Sequence, residues 1–155
     1  MPRALIVEDE EPIRVLLEQA LAGLGFTAAS AENGREGLEA LESGSYDLLL
    51  TDIRMPEMDG LTMIKRIRQK NNLIPILVIT AFPSVDSAVD SLSEGADDYL
   101  VKPVNLKDLE GKVRKAVERR RIQKRLIQYK RRVLGLILGI PFWIVLGWFL
   151  GRMFL

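Results

Sequence analysis

The 155-residue chain contains no cysteine and no histidine. Without cysteine there are no disulfides, thiol nucleophiles or zinc–thiolate sites. Without histidine there is no Ser-His-Asp catalysis, no imidazole metal ligand and no phosphohistidine on this chain. Chemistry must come from carboxylates, hydroxyls, lysine, arginine or the backbone. Charge is also missing by region. Residues 112–132 hold 11 Lys/Arg and a single acid, Glu118, whereas residues 1–111 hold 10 Lys/Arg against 20 Asp/Glu. Residues 133–151 carry no charge at all. The net charge of +1 therefore hides an acidic body, a basic neck and an apolar tail. Segments so different in charge meet different partners.

The body alternates two kinds of segment. Apolar, largely β-branched runs at residues 4–7, 48–51, 76–80 and 99–101, with a weaker one at 26–29, read as strands. Between them, apolar residues recur at helical spacing. Ile13, Leu16, Leu17, Ala20, Leu21 and Leu24 mark a first helix, with Pro12 in its first turn and Gly25 as its stop. Leu38 and Leu41 mark a second, and Leu61, Ile64 and Ile67 a third. Val85, Ala88, Val89 and Leu92 mark a fourth, with Ser84 as N-cap, and Leu106, Leu109, Val113, Ala116 and Val117 a fifth. Five strands alternating with five helices predict an α/β, doubly wound, five-stranded parallel sheet.

In such folds function gathers at the carboxyl ends of the strands. Those ends carry Glu8-Asp9, Asp52, Thr80 and Lys102. One acid after one strand is an ordinary cap or turn residue, but polar groups at four strand ends are a site. Three carboxylates converging without His or Cys suit a hard cation such as Mg²⁺. A neighbouring Lys and Thr suit a phosphoryl group.

These residues carry a family resemblance. Asp52-Ile-Arg-Met-Pro-Glu-Met-Asp-Gly60 resembles the phosphoacceptor loop of bacterial response-regulator receiver domains, which have a flavodoxin-like fold. Glu8-Asp9, Thr80-Ala81 and the segment from Gly95 to Lys102-Pro103 resemble the remaining motifs of that family in the same order. The resemblance spans roughly residues 3–120. It implies that Asp52 is the phosphoacceptor and that Mg²⁺ is held by Glu8, Asp9, Asp52 and the backbone carbonyl of Arg54. It further implies that Lys102 and Thr80 contact the phosphoryl oxygens, that Thr80 and Tyr99 form the switch, and that the Lys102-Pro103 peptide is cis. The implied donor is a sensor histidine kinase or phosphotransfer protein. The protein would be no enzyme, but a receiver promoting its own phosphotransfer and dephosphorylation. Signalling would leave through the face of the fourth helix, fifth strand and fifth helix. A phosphate sink or phosphorelay intermediate, and a membrane-anchored docking protein, stand as alternatives.

The resemblance stops near residue 120, where a basic helical neck (121–132) and an apolar tail (133–155) follow. The 35 residues after Arg120 are too few for a helix-turn-helix domain with its own core, so DNA binding is not expected. Ile122, Leu126, Tyr129 and Val133 recur at spacings of 4, 3 and 4, a stripe suited to helix pairing. Residues 133–151 include 12 Leu, Ile, Val or Phe. As a helix they would span about 28 Å, close to the hydrocarbon thickness of a bilayer. Trp143 and Trp148 lie in this run, Pro141 sits near its middle, and Lys130-Arg131-Arg132 abut its start. The expectation is a single-pass C-terminal transmembrane helix on the cytoplasmic face of the bacterial inner membrane, in contact with membrane lipid. No N-terminal signal is read ahead of the first strand. Gly135, Gly139, Gly147 and Gly151 share one i, i+4 ladder, which leaves open a homodimer through the fifth helix and this tail.

Overall fold

A computed structural model describes residues 1–70, 73–81 and 91–153, without the side chains of residues 136–151 and 153. Five strands are present: β1 (Arg3–Val7), β2 (Thr27–Ala31), β3 (Leu48–Asp52), β4 (Ile76–Thr80) and β5 (Asp98–Val101). The described helices are α1 (Glu11–Gly23), α2 (Gly34–Ser43), α3 (Gly60–Gln69) and α4 (Leu106–Met153). The helix expected over Val85–Leu92 falls on residues 82–90, outside the described residues, although residues 91–93 are helical. The strands form one parallel sheet in the order β2-β1-β3-β4-β5. The α/β flavodoxin-like reading of the sequence therefore holds.

The sheet has two cores because side chains alternate along each strand. Ala4, Ile6, Leu48, Leu50, Leu77 and Ile79 pack on one face with Leu17 and Leu21 of α1 and Leu109 and Val113 of α4. Leu5, Val7, Leu49, Ile76 and Val78 pack on the other with Met63, Ile64 and Ile67 of α3. Every residue of β3 and β4 is buried, as expected of central strands covered on both sides. Each fully buried Leu or Ile contributes about 1.5–3 kcal/mol. The second strand starts one residue later than expected and runs on to Ala31, because Phe26 lies in the turn and Thr27-Ala-Ala-Ser-Ala31 is an edge strand of small residues. Leu16, one of the apolar residues that mark this helix, is exposed, since Ile13, Leu17, Ala20, Leu21 and Leu24 already complete the buried stripe of α1.

Local signals set the helix ends next to the carboxyl edge of the sheet. Asn33 caps α2 by accepting from Glu36 N at 3.0 Å, and Glu36 reaches back to Glu32 N at 3.1 Å, a variant of the capping box. Asp59 caps α3, accepting from Thr62 N at 2.7 Å and from Thr62 Oγ1 at 2.8 Å. Partial burial would raise the Asp59 pKa, but these hydrogen bonds outweigh it and hold the carboxyl below its usual range. Asp59→Ala should cost about 1 kcal/mol. Because the folded pKa is depressed, this contribution is present above the unfolded pKa and lost as pH falls through the folded one. Urea unfolding at neutral and acidic pH checks it: the wild type and variant should converge in acid.

The chain divides into two compact units, Met1–Arg120 and Arg121–Leu155. The expected membrane anchor is corrected here: among the described residues, no helix is long and apolar enough to cross a membrane. The described side chains of α4 are those of its charged part. Within that part, eleven Lys/Arg fall in residues 112–132, and because one such charge at a span centre already costs about 2.5–3.5 kcal/mol, it cannot serve as a span. The placement at the inner membrane falls with the anchor. The side chains of Pro141, Trp143 and Trp148, and Gly139, Gly147 and Gly151, lie outside the described residues.

Candidate functional site

Strand register gathers the candidate residues. Val7 pairs with Thr51, Asp52 with Ile79 and Thr80 with Val101. The residues that end β3 and β4, or that directly follow β1 and β5, therefore lie in one row: Glu8, Asp52, Thr80 and Lys102. The row crosses the point where the chain order reverses around β1, the usual position of a ligand crevice in open α/β sheets.

Asp52 is buried and held from two sides. Its Oδ1 accepts from Ile53 N at 2.5 Å and from Arg54 N at 3.2 Å. Its Oδ2 accepts from Lys102 Nζ at 2.6 Å. Lys102 is aimed by its own backbone, since its N–H donates to the Thr80 carbonyl at 2.8 Å and the following peptide, Lys102-Pro103, is cis. Its ammonium also donates to Glu8 Oε1 at 2.9 Å and to Glu10 Oε1 at 3.3 Å. Burial alone would lower the Lys102 pKa, but hydrogen bonds and charge from Asp52 and Glu8 outweigh it and raise the pKa. Glu8 is fully buried. Burial raises its pKa, and the Asp52 charge adds to this against the opposing Lys102 hydrogen bond.

The loop after Asp52 is built by close approach. Gly60 N donates to Ile53 O at 2.8 Å, and a Cβ at Gly60 would lie 2.0 Å from the Asp52 carbonyl oxygen. Only glycine lets α3 start this near the loop after Asp52. Gly34 N donates to Met58 O at 3.1 Å, which ties the start of α2 to the same loop.

Carboxylate oxygens of Glu8, Glu10 and Asp52 lie within 4.8 Å of one another. Asp9, expected among the ligands, is exposed and is not in that group. Arg54 is exposed and meets Asp52 through its backbone N–H. Thr80 is buried at the end of β4. Tyr99, in β5, packs against the second core while Lys112 Nζ sits 4.9 Å from its ring centroid. Lys112 also donates to Asp98 Oδ1 at 3.1 Å and to the Tyr99 carbonyl.

The donor set fits a hard divalent cation. It is all oxygen, has three carboxylates against one ammonium, and leaves Glu8 Oε2 buried without a hydrogen-bond partner. That orphaned acceptor costs free energy unless a cation or water meets it, and Mg²⁺ with carboxylate and water ligands suits such a pocket. Sequence reasoning missed Glu10 and the steric role of Gly60. The spacing held a signal for Glu10: extended chain places alternate residues on one side, which puts Glu8 and Glu10 together and Asp9 apart.

Residues 4–114 match the response regulator receiver domain family. The DNA-binding transcriptional regulator NtrC of Escherichia coli K12 is 46% identical over 112 residues, which are 72% of this chain and 24% of that protein. The transcriptional regulatory protein ZraR of the same organism is 41% identical over 113 residues, 73% of this chain and 26% of that protein. The chain thus spans about a quarter of the length of these curated relatives. The solved structure of response regulator TrrA from Thermotoga maritima, in complex with Mg²⁺–BeF, is 40% identical with a TM-score of 0.69. That alignment covers 75% of this chain and 99% of TrrA. With the matched family covering most of the chain and the polar row at the strand ends, this chain belongs to the response regulator receiver domain family, the phosphoacceptor module of two-component signalling.

Proposed function

We propose that Asp52 takes a phosphoryl group from a phosphohistidine on a sensor histidine kinase or phosphotransfer protein. A carboxylate oxygen of Asp52 forms the new P–O bond as the P–N bond to the donor imidazole breaks. The observation that carries this reading is the pairing of a buried Asp52 with Lys102 Nζ at 2.6 Å beside the orphaned Glu8 Oε2. Glu8 and Asp52 would hold Mg²⁺, with Asp9 and the Arg54 carbonyl as further ligands. Bound Mg²⁺ supplies the charge that lets a carboxylate approach an anionic donor. Lys102 and the Thr80 hydroxyl contact phosphoryl oxygens, and the Ile53 and Arg54 N–H groups orient Asp52. The chain consumes its own carboxylate in the transfer, so it acts as an acceptor that promotes its own phosphorylation and dephosphorylation.

The switch reading rests on Thr80 at the end of β4 and on Tyr99, which in the neighbouring β5 pairs with Val78, two residues before Thr80. Engagement of Thr80 by a phosphoryl oxygen draws its loop inward, and Tyr99 turns in behind it. Tyr99 is tied to α4 by Lys112, so the movement reaches the β5–α4 face. Pairing of two copies along α4 is the finer part of the proposal. It draws on Ile122, Leu126 and Tyr129, all exposed. Since residues 112–132 carry eleven Lys/Arg and one Glu, association should strengthen with salt. Sedimentation at low and high ionic strength tests it, and no rise in mass with salt removes the pairing.

The central test is labelling by radioactive acetyl phosphate with Mg²⁺. The wild type should be labelled and Asp52→Asn should not. Labelling that survives in Asp52→Asn, or that needs no divalent ion, refutes the assignment.

A further inference from the structure

We propose that Glu10 is a two-way regulator of this site: it strengthens the divalent-cation site and competes with the phosphoryl group for Lys102. The inference rests on the receiver reading above and adds a residue to it. Glu10 stands at the N-cap position of α1, yet its side chain makes no capping hydrogen bond. Its Oε1 instead accepts from Lys102 Nζ at 3.3 Å. Helix α1 does not lose its start thereby, because the Glu10 backbone carbonyl accepts from Ile13 N and Arg14 N at 3.1 and 3.0 Å. The carboxylate is free of a structural duty and turned to the site.

A lysine ammonium has three donors, and all three are engaged, by Asp52, Glu8 and Glu10. For Lys102 to reach a phosphoryl oxygen, one acceptor must let go. Glu8 is fully buried and Asp52 is nearly so, whereas the Glu10 side chain is 61% exposed and makes the longest of the three contacts. Glu10 can turn to water at low cost, so it is the acceptor displaced. Its negative charge favours a cation in the pocket and opposes an incoming anion.

The two effects have opposite signs, which makes the proposal testable with Glu10→Gln. Mg²⁺ alone is titrated calorimetrically into the full chain, and beryllofluoride is then titrated at saturating Mg²⁺. Wild-type binding of both probes is the control for the receiver reading, and its failure would count against that reading. Given that control, Glu10→Gln should weaken Mg²⁺ binding about tenfold and tighten beryllofluoride binding about threefold, as expected for a doubly and a singly charged ion roughly 6 Å from one exposed charge in high dielectric. Glu10→Asp, which keeps the charge on a shorter side chain, should keep most of the Mg²⁺ affinity while tightening beryllofluoride. Unchanged Mg²⁺ affinity in Glu10→Gln, or beryllofluoride binding that is unchanged or weaker, overturns the proposal. Circular dichroism of both variants should match the wild type, because no capping bond is removed.

Discussion

Lys102→Met should destabilise the metal-free protein by about 3 kcal/mol at neutral pH, the usual cost of leaving buried charges uncompensated. Lys102 is the shared counter-charge of Glu8 and Asp52, and its side chain is only 10% exposed. Removing it leaves two buried carboxylates facing each other. The loss should depend on pH, and Glu8 sets the direction. Its folded pKa is already raised, so its contribution to stability is fully present below the unfolded pKa and is lost as pH rises through the folded one. The Lys102 hydrogen bond is what opposes that rise. Without it the Glu8 pKa climbs further, so the variant should lose most at neutral and alkaline pH and recover as Glu8 takes up a proton. Urea unfolding across a pH series reads this directly. A penalty that is the same at every pH would show that the lysine acts through packing and not through charge.

Gly60→Ala should be as damaging, for a steric reason. Its Cβ would stand 2.0 Å from the Asp52 carbonyl oxygen, a backbone atom with nowhere to go. Either α3 or the end of β3 must shift, at a cost of roughly 3 kcal/mol. Any shift of β3 moves the Asp52 carboxylate relative to Lys102 and the Ile53 and Arg54 N–H groups. Displacements of about 1 Å can cost a hundredfold in rate, so labelling by acetyl phosphate should fall by about that factor even where the variant folds. Gly111→Ala is the control. Gly111 lies inside α4 with no atom within 4 Å of an added Cβ, and the change should stabilise by up to about 1 kcal/mol. A Gly60→Ala protein as stable and as quickly labelled as the wild type would remove the close-approach argument.

The sequence was most legible where one force dominates. Runs such as Leu48-Leu-Leu and Ile76-Leu-Val-Ile fit covered central strands, and their ends deliver Asp52 and Thr80. It was less legible at edges. Thr27-Ala-Ala-Ser-Ala31 has almost no hydrophobic pattern, so its limits follow from pairing with β1 and not from its own composition. Leu16 marks the helix without joining its core, because helical spacing fixes a stripe only to within one residue on either side. In the site, residue types and order were readable, while reach was not. Glu10 enters through a side chain that declines its capping role, and Gly60 through a distance between two backbones. Neither is a property of the residue alone. The tail shows the opposite error. Uncharged length along residues 133–151 led to a spanning helix, whereas the described side chains of α4 are those of its charged part, and no described helix is apolar enough to cross a bilayer.

The two central strands also set a timescale. β3 and β4 are buried along their whole length, while β2 and β5 form the sheet edges and have exposed positions. Amide protons of Leu49, Leu50, Val78 and Ile79 should therefore exchange with deuterium only through global unfolding, and those of the edge strands through smaller openings. Asp52 and Thr80 are the last residues of those slowest strands. The proposed acceptor carboxylate and the proposed switch hydroxyl are thus anchored in the part of the molecule that opens least, and on that reading phosphorylation is felt elsewhere through the loops and the β5 edge, whose protection should change when the phosphoryl group arrives while that of β3 and β4 does not.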